Sequence, residues 1–269
     1  MKITELFQMI DLQPEMIEKL GALSFQIDIK KIDGYLNRMM DITTAQEAYK
    51  ELKEYLNEDA NQMQMLFCQL KCAGRVYDKY QSMGIPDSVF AATMKCFKRF
   101  LDECAVKTGR SYFDRGWWTY RQISMRIFRI GDLEYELKEY DGEKVIAIHI
   151  PSDAIFSGDM VDDSFRRAEV FFKTYFPEYT DTKYICNSWL LSPELKPLLS
   201  NQSHILDFQR RFEIVKVNKE DYGYIEWLFQ KPEDTAYEKL PEHTSLQRKV
   251  KRLLLEGESI GSAYGIMKL

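Results

Sequence analysis

"VIAIHIPSDAIFSGDMVDDSFRRAEVFF", residues 145 to 172, is the stretch on which the fold turns. A run of strand-like residues stops at Pro151, small and polar residues follow, and an amphipathic segment begins behind them. On a strand from Val145 to Ile150, alternation places Ile146, Ile148 and Ile150 on one face and Val145, Ala147 and His149 on the other. His149 is therefore the one titratable side chain on that strand. Behind the loop, Phe165, Ala168, Phe172 and Tyr175 recur at steps of three and four, flanked by Phe171 and Phe176, which is a helix stripe that must pack on the sheet. A strand running through a loop into a helix aims helix amides and dipole at the strand's end, where open α/β sheets commonly place ligands.

The loop is acidic. Asp153, Asp159, Asp162 and Asp163 crowd the helix start with Arg166 and Arg167 to balance them, and Gly158 alone lets a backbone approach a ligand closely. On a structural reading, Asp162 or Asp163 caps the helix while Ser152 and Asp153 shape a turn after Pro151. On a ligand reading, the same loop faces an anion. The residues leave both open.

Outward from this unit, "LEYEL" at 133–137 and "VIAIHI" at 145–150 read as strands joined by a turn at Asp141 and Gly142. Downstream, "KYICNSWLL", "PELKPLLSNQSHILDFQRRF", "FEIVKVN" and "GYIEWLFQ" continue the interleaving of strands and helices expected of a sheet with helices packed on it. Upstream the period is helical throughout. "NQMQMLFCQLKCAGRVYDKY" at 61–80 carries Met63, Leu66, Phe67, Leu70, Ala73 and Tyr77 on one stripe. After a break at Gly84–Pro86, Asp87 is placed as N-cap of a helix whose stripe runs from Phe90 to Cys104. "TTAQEAYKELKEYLNE", from Thr43, has the spacing of a capping box, and a short helix bearing Trp117 and Trp118 precedes the first strand. The expected class is α+β: an all-helical N-terminal domain, residues 1–110, followed by a mixed β-sheet domain with helices on both faces, residues 111–269.

At 269 residues and 45% hydrophobic composition, two domains are the natural expectation. A net charge of -5 provides no electrostatic footprint for nucleic acid. The basic run "LQRKVKRLLL" at 246–255 is interleaved with leucines and reads as a solvated helix face. No apolar run reaches the roughly 18 residues of a membrane span, and the N-terminus lacks a signal-peptide h-region, so a cytoplasmic protein is expected. The five cysteines, Cys68, Cys72, Cys96, Cys104 and Cys186, suit reduced core thiols better than a disulfide framework, and with three histidines and no HExxH no metal is expected. Absence of a GxSxG elbow excludes the commonest hydrolase arrangement.

"HIPSDA" at 149–154, "YICNSWLLSPEL" at 184–195 and "SHILDFQRRFEI" at 203–214, with "YQSMGIPDSVFAATMK" and "GWWTYRQISMRIFRIGDLEYEL" upstream, resemble a bacterial acyltransferase family. Its C-terminal domain is folded like the GNAT N-acetyltransferases, and the likeness covers nearly the whole chain. The resemblance implies acyl-CoA as co-substrate, acetyl-CoA first among donors, and a small-molecule amine or peptide acceptor that attacks the thioester directly. It makes strand 145–150 the one that pairs through its backbone with the pantetheine arm, at Ile148 and Ile150, and strand 184–191 its splayed neighbour. The pyrophosphate would face the loop at Ser152, Asp153, Ser157 and Arg166. His149 becomes the candidate base and His204 the candidate acid, each with an alternative as a structural histidine, while Ser188 and Trp189 line the acceptor side.

Two departures bear on activity. The GNAT phosphate motif (Gln or Arg, two residues, Gly, one residue, Gly or Ala) is absent from 151–163, and "ESIGSA" at 258–263 matches it only with glutamate in first place. No tyrosine lies between Pro193 and Phe212, where a thiolate acid is expected. These departures define the rival expectation, a catalytically inactive GNAT-like ligand-sensing or protein-interaction module.

Overall fold

A computed structural model describes residues 1–57, 59, 61–110 and 112–268. They form two compact units, Met1–Ile130 and the residues from Gly131 onward. The division between them falls after Ile130. Its cause is a set of buried polar ties: the Gln69 amide donates to the Gly116 carbonyl at 2.8 Å, the Thr119 hydroxyl to the Gln69 carbonyl oxygen, and the Arg129 N–H to the Thr93 hydroxyl at 3.0 Å. Those bonds fasten residues 116–130 to the helices before them.

The first unit is helical: α1 (Ile3–Met9), α2 (Pro14–Leu23), α3 (Ile29–Met39), α4 (Ala45–Tyr55), α5 (Met63–Met83), α6 (Asp87–Met94), α7 (Cys96–Thr108) and α8 (Gly116–Ile123), ending in the short strand β1 (Ile127–Ile130). The long α5 is its axis, with Leu66, Cys68, Leu70, Cys72, Ala73, Val76 and Tyr80 all fully buried. Three local expectations are corrected. Pro86 is the N-cap of α6, and the Asp87 carboxylate instead accepts from the Tyr77 hydroxyl at 3.0 Å and the Gln81 amide at 2.7 Å. The helix read as continuous through Cys104 is interrupted at Lys95. Thr44 does sit at the N-cap of α4, but its hydroxyl donates to the Arg38 carbonyl at 2.7 Å and no capping box forms.

The second unit comprises β2 (Leu133–Tyr140), β3 (Glu143–His149), α9 (Gly158–Tyr175), β4 (Lys183–Ser188), α10 (His204–Arg210), β5 (Phe212–Asn218), α11 (Tyr224–Phe229), α12 (Ser245–Leu255) and β6 (Ser262–Met267). Its strands lie in the order β2-β3-β4-β6-β5, with β3 and β4 parallel and the other pairs antiparallel. The expected α+β class, helices first and then a mixed sheet with helices, is the architecture found. The β2–β3 hairpin turns at Asp141 and Gly142, both at positive φ (51° and 78°), as a two-residue turn matched to strand twist requires. That turn fixes the register from Tyr140↔Glu143 to Glu134↔His149.

Helix α9 buries Val161, Ser164, Ala168, Phe171 and Phe172. The stripe therefore begins a turn earlier than the aromatic pattern suggested, and Phe165 and Tyr175 are only half-buried. The Ser164 hydroxyl anchors the helix to β2, bonding the Leu133 N–H at 3.3 Å and the Tyr135 hydroxyl at 2.8 Å. A separate core gathers Leu195, Tyr224, Phe229, Val250, Leu254 and Ile260 under α11 and α12.

Candidate functional site

The ladder between β3 and β4 is short. It runs from Val145↔Lys183 to Ile148↔Cys186 and stops. Both strands nonetheless continue: β3 stays in register with β2 as far as Glu134↔His149, and β4 with β6 as far as Ser188↔Ala263. His149 and Asn187–Ser188 thus lie beyond the end of the ladder between the two parallel strands. Extended backbone in β4 ends at Ser188, short of the 184–191 span read from the sequence. Its side chain accepts from the Leu190 N–H at 3.2 Å and starts the 3₁₀ turn Trp189–Leu191. Trp189 consequently packs at the margin of the Leu195–Ile260 core. Asn187, exposed on β4 just past the end of that ladder, was not singled out by the sequence.

His149 stands at the end of β3 with its ring 27% exposed, and its Nε2 lies 2.9 Å from Oε2 of Glu136 on β2. The hairpin register makes Glu136 a diagonal neighbour of His149 on the same sheet face, since Glu136 pairs with Ala147. With Glu136 ionised, Nε2–H of the imidazole donates to it and the carboxylate holds the ring's orientation. Glu136 is buried, as is Glu134 opposite His149.

The loop between β3 and α9 is held from below. Residues 151–154 turn through a bond from the Ala154 N–H to the Pro151 carbonyl, 3.1 Å. The buried Asp132 carboxylate then accepts from the Ile155 and Phe156 N–H groups at 3.1 and 2.7 Å, holding Phe156 at φ +59°. Helix α9 starts at Gly158 with Ser157 as N-cap, and the Ser157 side chain makes no cap bond. Asp162 and Asp163 lie inside the helix and cap nothing. Asp163 binds Arg166 and Arg167, and Asp162 accepts from Nε of Arg211 at 2.8 Å. Arg211 is the residue the sequence did not reveal: a guanidinium only 23% exposed, with Nη2 3.8 Å from where a Cβ on Gly158 would stand. The start of α9 thus combines helix amides, a glycine and one cation delivered from the far end of α10. Ser152, Asp153 and Arg166 are exposed along the same loop and helix.

His204 lies elsewhere. It is the first residue of α10, behind its N-cap Ser203, and lines a cleft of about 480 Å³ with Phe156, Leu198, Leu246 and Lys249. Cys186 is fully buried, and desolvation pushes its thiol up to about 12, so it is protonated and enclosed, as expected of a core residue and not of a nucleophile. Among the described residues no His, Cys, Asp and Glu group is placed to hold a metal, and no helix is long and apolar enough to cross a membrane.

The family model of the GNAT-like C-terminal domain matches residues 127–267, and that of the N-acyltransferase N-terminal domain matches residues 1–125. The chain belongs to this acyltransferase family. Among solved structures, an acyltransferase in complex with decanoyl-CoA and teicoplanin superposes with a TM-score of 0.83 at 21% identity, covering 99% of this chain and 87% of that one. A variant acyltransferase in complex with octanoyl-CoA gives 0.84, at the same identity and coverage. An acyltransferase with CoA and 10C-teicoplanin gives 0.74 at 19% identity over the full length of both chains. At such identities the likeness is one of fold. No curated protein matches the sequence.

Proposed function

We propose that the protein moves an acyl group from an acyl-CoA to an amine by direct attack within a ternary complex. The observation that carries this reading is the end of the β3–β4 ladder at Ile148 and Cys186 while both strands run on, with a carboxylate-backed histidine at that end. A pantetheine arm adds to such an edge through its amides as an extra strand would. The diphosphate of the donor lies at the start of α9, against Gly158 and the amides after Ser157, with Arg211 as counter-charge. The amine nitrogen attacks the thioester carbon and gives its proton to Nδ1 of His149, while Glu136 holds the ring and stabilises the imidazolium. Main-chain N–H groups beyond the end of that ladder receive the carbonyl oxygen's developing charge. The C–S bond then breaks with its electron pair on sulfur, and the CoA thiolate takes up a proton from solvent while the His149 imidazolium gives its own back to solvent, leaving amide and free CoA thiol.

Structural relatives that hold decanoyl-CoA, octanoyl-CoA and teicoplanin favour medium-length donors and an amine on a glycopeptide-like scaffold as first substrates to try, ahead of acetyl-CoA. The test is amine-dependent release of CoA thiol from acetyl-, octanoyl- and decanoyl-CoA across an amine panel. Release is expected with the intact chain, and loss of turnover without loss of donor affinity in His149→Ala. Failure of every donor to bind would overturn the reading. The ligand-sensing alternative draws on the bond between Asp162 and Arg211, which opposes an incoming anion, and predicts donor binding without thiol release for any amine.

A further inference from the structure

Strand β5 is the last strand of its sheet, and its outer edge is open. From Glu213 to Val217 the main chain bonds to β6 and, among the described residues, to no other backbone. Open edges are ordinarily kept from pairing by short length, by a lysine or by a bulge. The strand is seven residues long, Phe212–Asn218, and exposes Val215 (57%) and Val217 (39%), so neither shortness nor polarity closes it. It does carry a lysine, Lys216, and a bulge at Val215, where the register with β6 shifts between Ile214 and Lys216.

The bulge decides which side chains share a face. Glu213 pairs with Ile266 and Lys216 with Tyr264. Ile266 and Tyr264 stand two apart on β6 and point to one side of the sheet, which brings Glu213 and Lys216 to that same side. In a regular strand, residues three apart would face opposite ways. Both side chains are exposed, and neither has an ion-pair partner among the described residues, although the neighbouring Lys219 binds Glu194 at 2.9 Å. One face of the edge therefore presents an uncompensated charge of each sign, on either side of Ile214 and Val215.

Such an edge is complementary to itself. A second β5, turned about a two-fold axis at Ile214–Val215, runs antiparallel to the first and sets Glu213 of each copy opposite Lys216 of the other, with Phe212 opposite Val217. We propose that two copies of the chain associate through their β5 edges, so that the sheet of one continues into the sheet of the other. Main-chain bonds supply the affinity of strand addition, and the two Glu213–Lys216 cross-pairs select this register. A seven-residue edge makes an interface of the smaller class, so the dimer exchanges with monomer as concentration changes.

Sedimentation of the full chain from micromolar to submillimolar concentration tests this. The mass should rise from that of one chain toward that of two, and less so at high salt. Lys216→Glu, which sets like charges opposite each other twice in every dimer, should weaken association about tenfold. Adding Glu213→Lys to it restores opposite signs and should restore the parent's affinity. An equimolar mixture of the two single variants should likewise pair where each alone is weakened. Both positions are exposed, and circular dichroism checks that each variant folds; if Lys216→Glu does not, Glu213→Lys takes its place against the same double variant. A monomer throughout the range, association indifferent to the single charge reversal, or a double variant no tighter than the single one overturns the inference.

Discussion

Gly261→Ala separates packing from ligand binding at "ESIGSA", the one stretch of the sequence that nearly matches a GNAT phosphate motif. Gly261 has φ +59°, and a Cβ built there would sit 2.3 Å from the Asn218 carbonyl oxygen and 2.7 Å from the Lys219 Cα. Those are backbone atoms at the end of β5 and cannot rotate aside. The left-handed conformation alone costs an alanine roughly 1–2 kcal/mol. To relieve the clash the end of β5 must withdraw from β6, loosening the Asn218↔Ser262 and Val217↔Ala263 pairs, at about 1 kcal/mol for each hydrogen bond lost. The sum is about 3–4 kcal/mol, or roughly 6–16 °C in melting temperature. Gly257→Ala is the control. It shares the positive φ, +82°, but nothing lies within 4 Å of its Cβ, so only the conformational cost of roughly 1–2 kcal/mol applies. Urea unfolding followed by tryptophan fluorescence, with donor titration of each folded variant, measures both quantities. If Gly261→Ala unfolds at the same urea concentration as Gly257→Ala while losing donor affinity, the packing account is wrong and the glycine belongs to a ligand loop.

Glu136→Gln is expected to lower kcat by roughly 10–100-fold, less than the roughly 10²–10⁴ expected of His149→Ala, with donor KM unchanged. A kcat equal to that of the parent would make Glu136 merely structural. Arg211→Gln should weaken the donor several-fold at low salt and less at high salt, and an unchanged affinity would remove the diphosphate from the start of α9. Burial pushes the Cys68 and Cys186 thiols up to about 12, so the folded chain keeps protons that the unfolded chain releases near its ordinary thiol pKa of about 8.5. That contribution is fully present below about pH 8.5 and is lost as pH rises toward 12, so the urea midpoint should fall across this window. Alkylation of Cys186 within minutes at pH 8 in the native protein would refute the burial argument.

What the sequence showed and what it hid follow from how each signal is written. The hairpin, α9 and the His149 strand are local patterns, and periodicity and turn residues exposed them. Glu136 was within reach of the same reasoning: a two-residue turn at Asp141 and Gly142 sets Tyr140 opposite Glu143, and counting back along both strands brings Glu136 beside His149. Arg211 was not within reach, because it arrives from an element distant in sequence. Strand β6 was missed for a different reason. "SAYGIM" sits between two neighbours, with Ser262, Ala263 and Gly265 buried, so it shows neither alternation nor the β-branched run that marks a strand. The cap signals at Thr44 and Asp87 failed because each side chain found a competing partner, the Arg38 carbonyl and the Tyr77–Gln81 pair.

Because β6 lies between β4 and β5, those two strands have no hydrogen bonds with each other. During synthesis, everything through Asn218 can leave the ribosome and β5 still has no ladder to join. Only when residues 262–267 emerge does one insertion close both gaps, at the cost of long-range pairing that slows folding. Nascent chains halted before Ser262 should therefore display β5 as a bare, valine-bearing edge, a natural target for a chaperone waiting at the exit port.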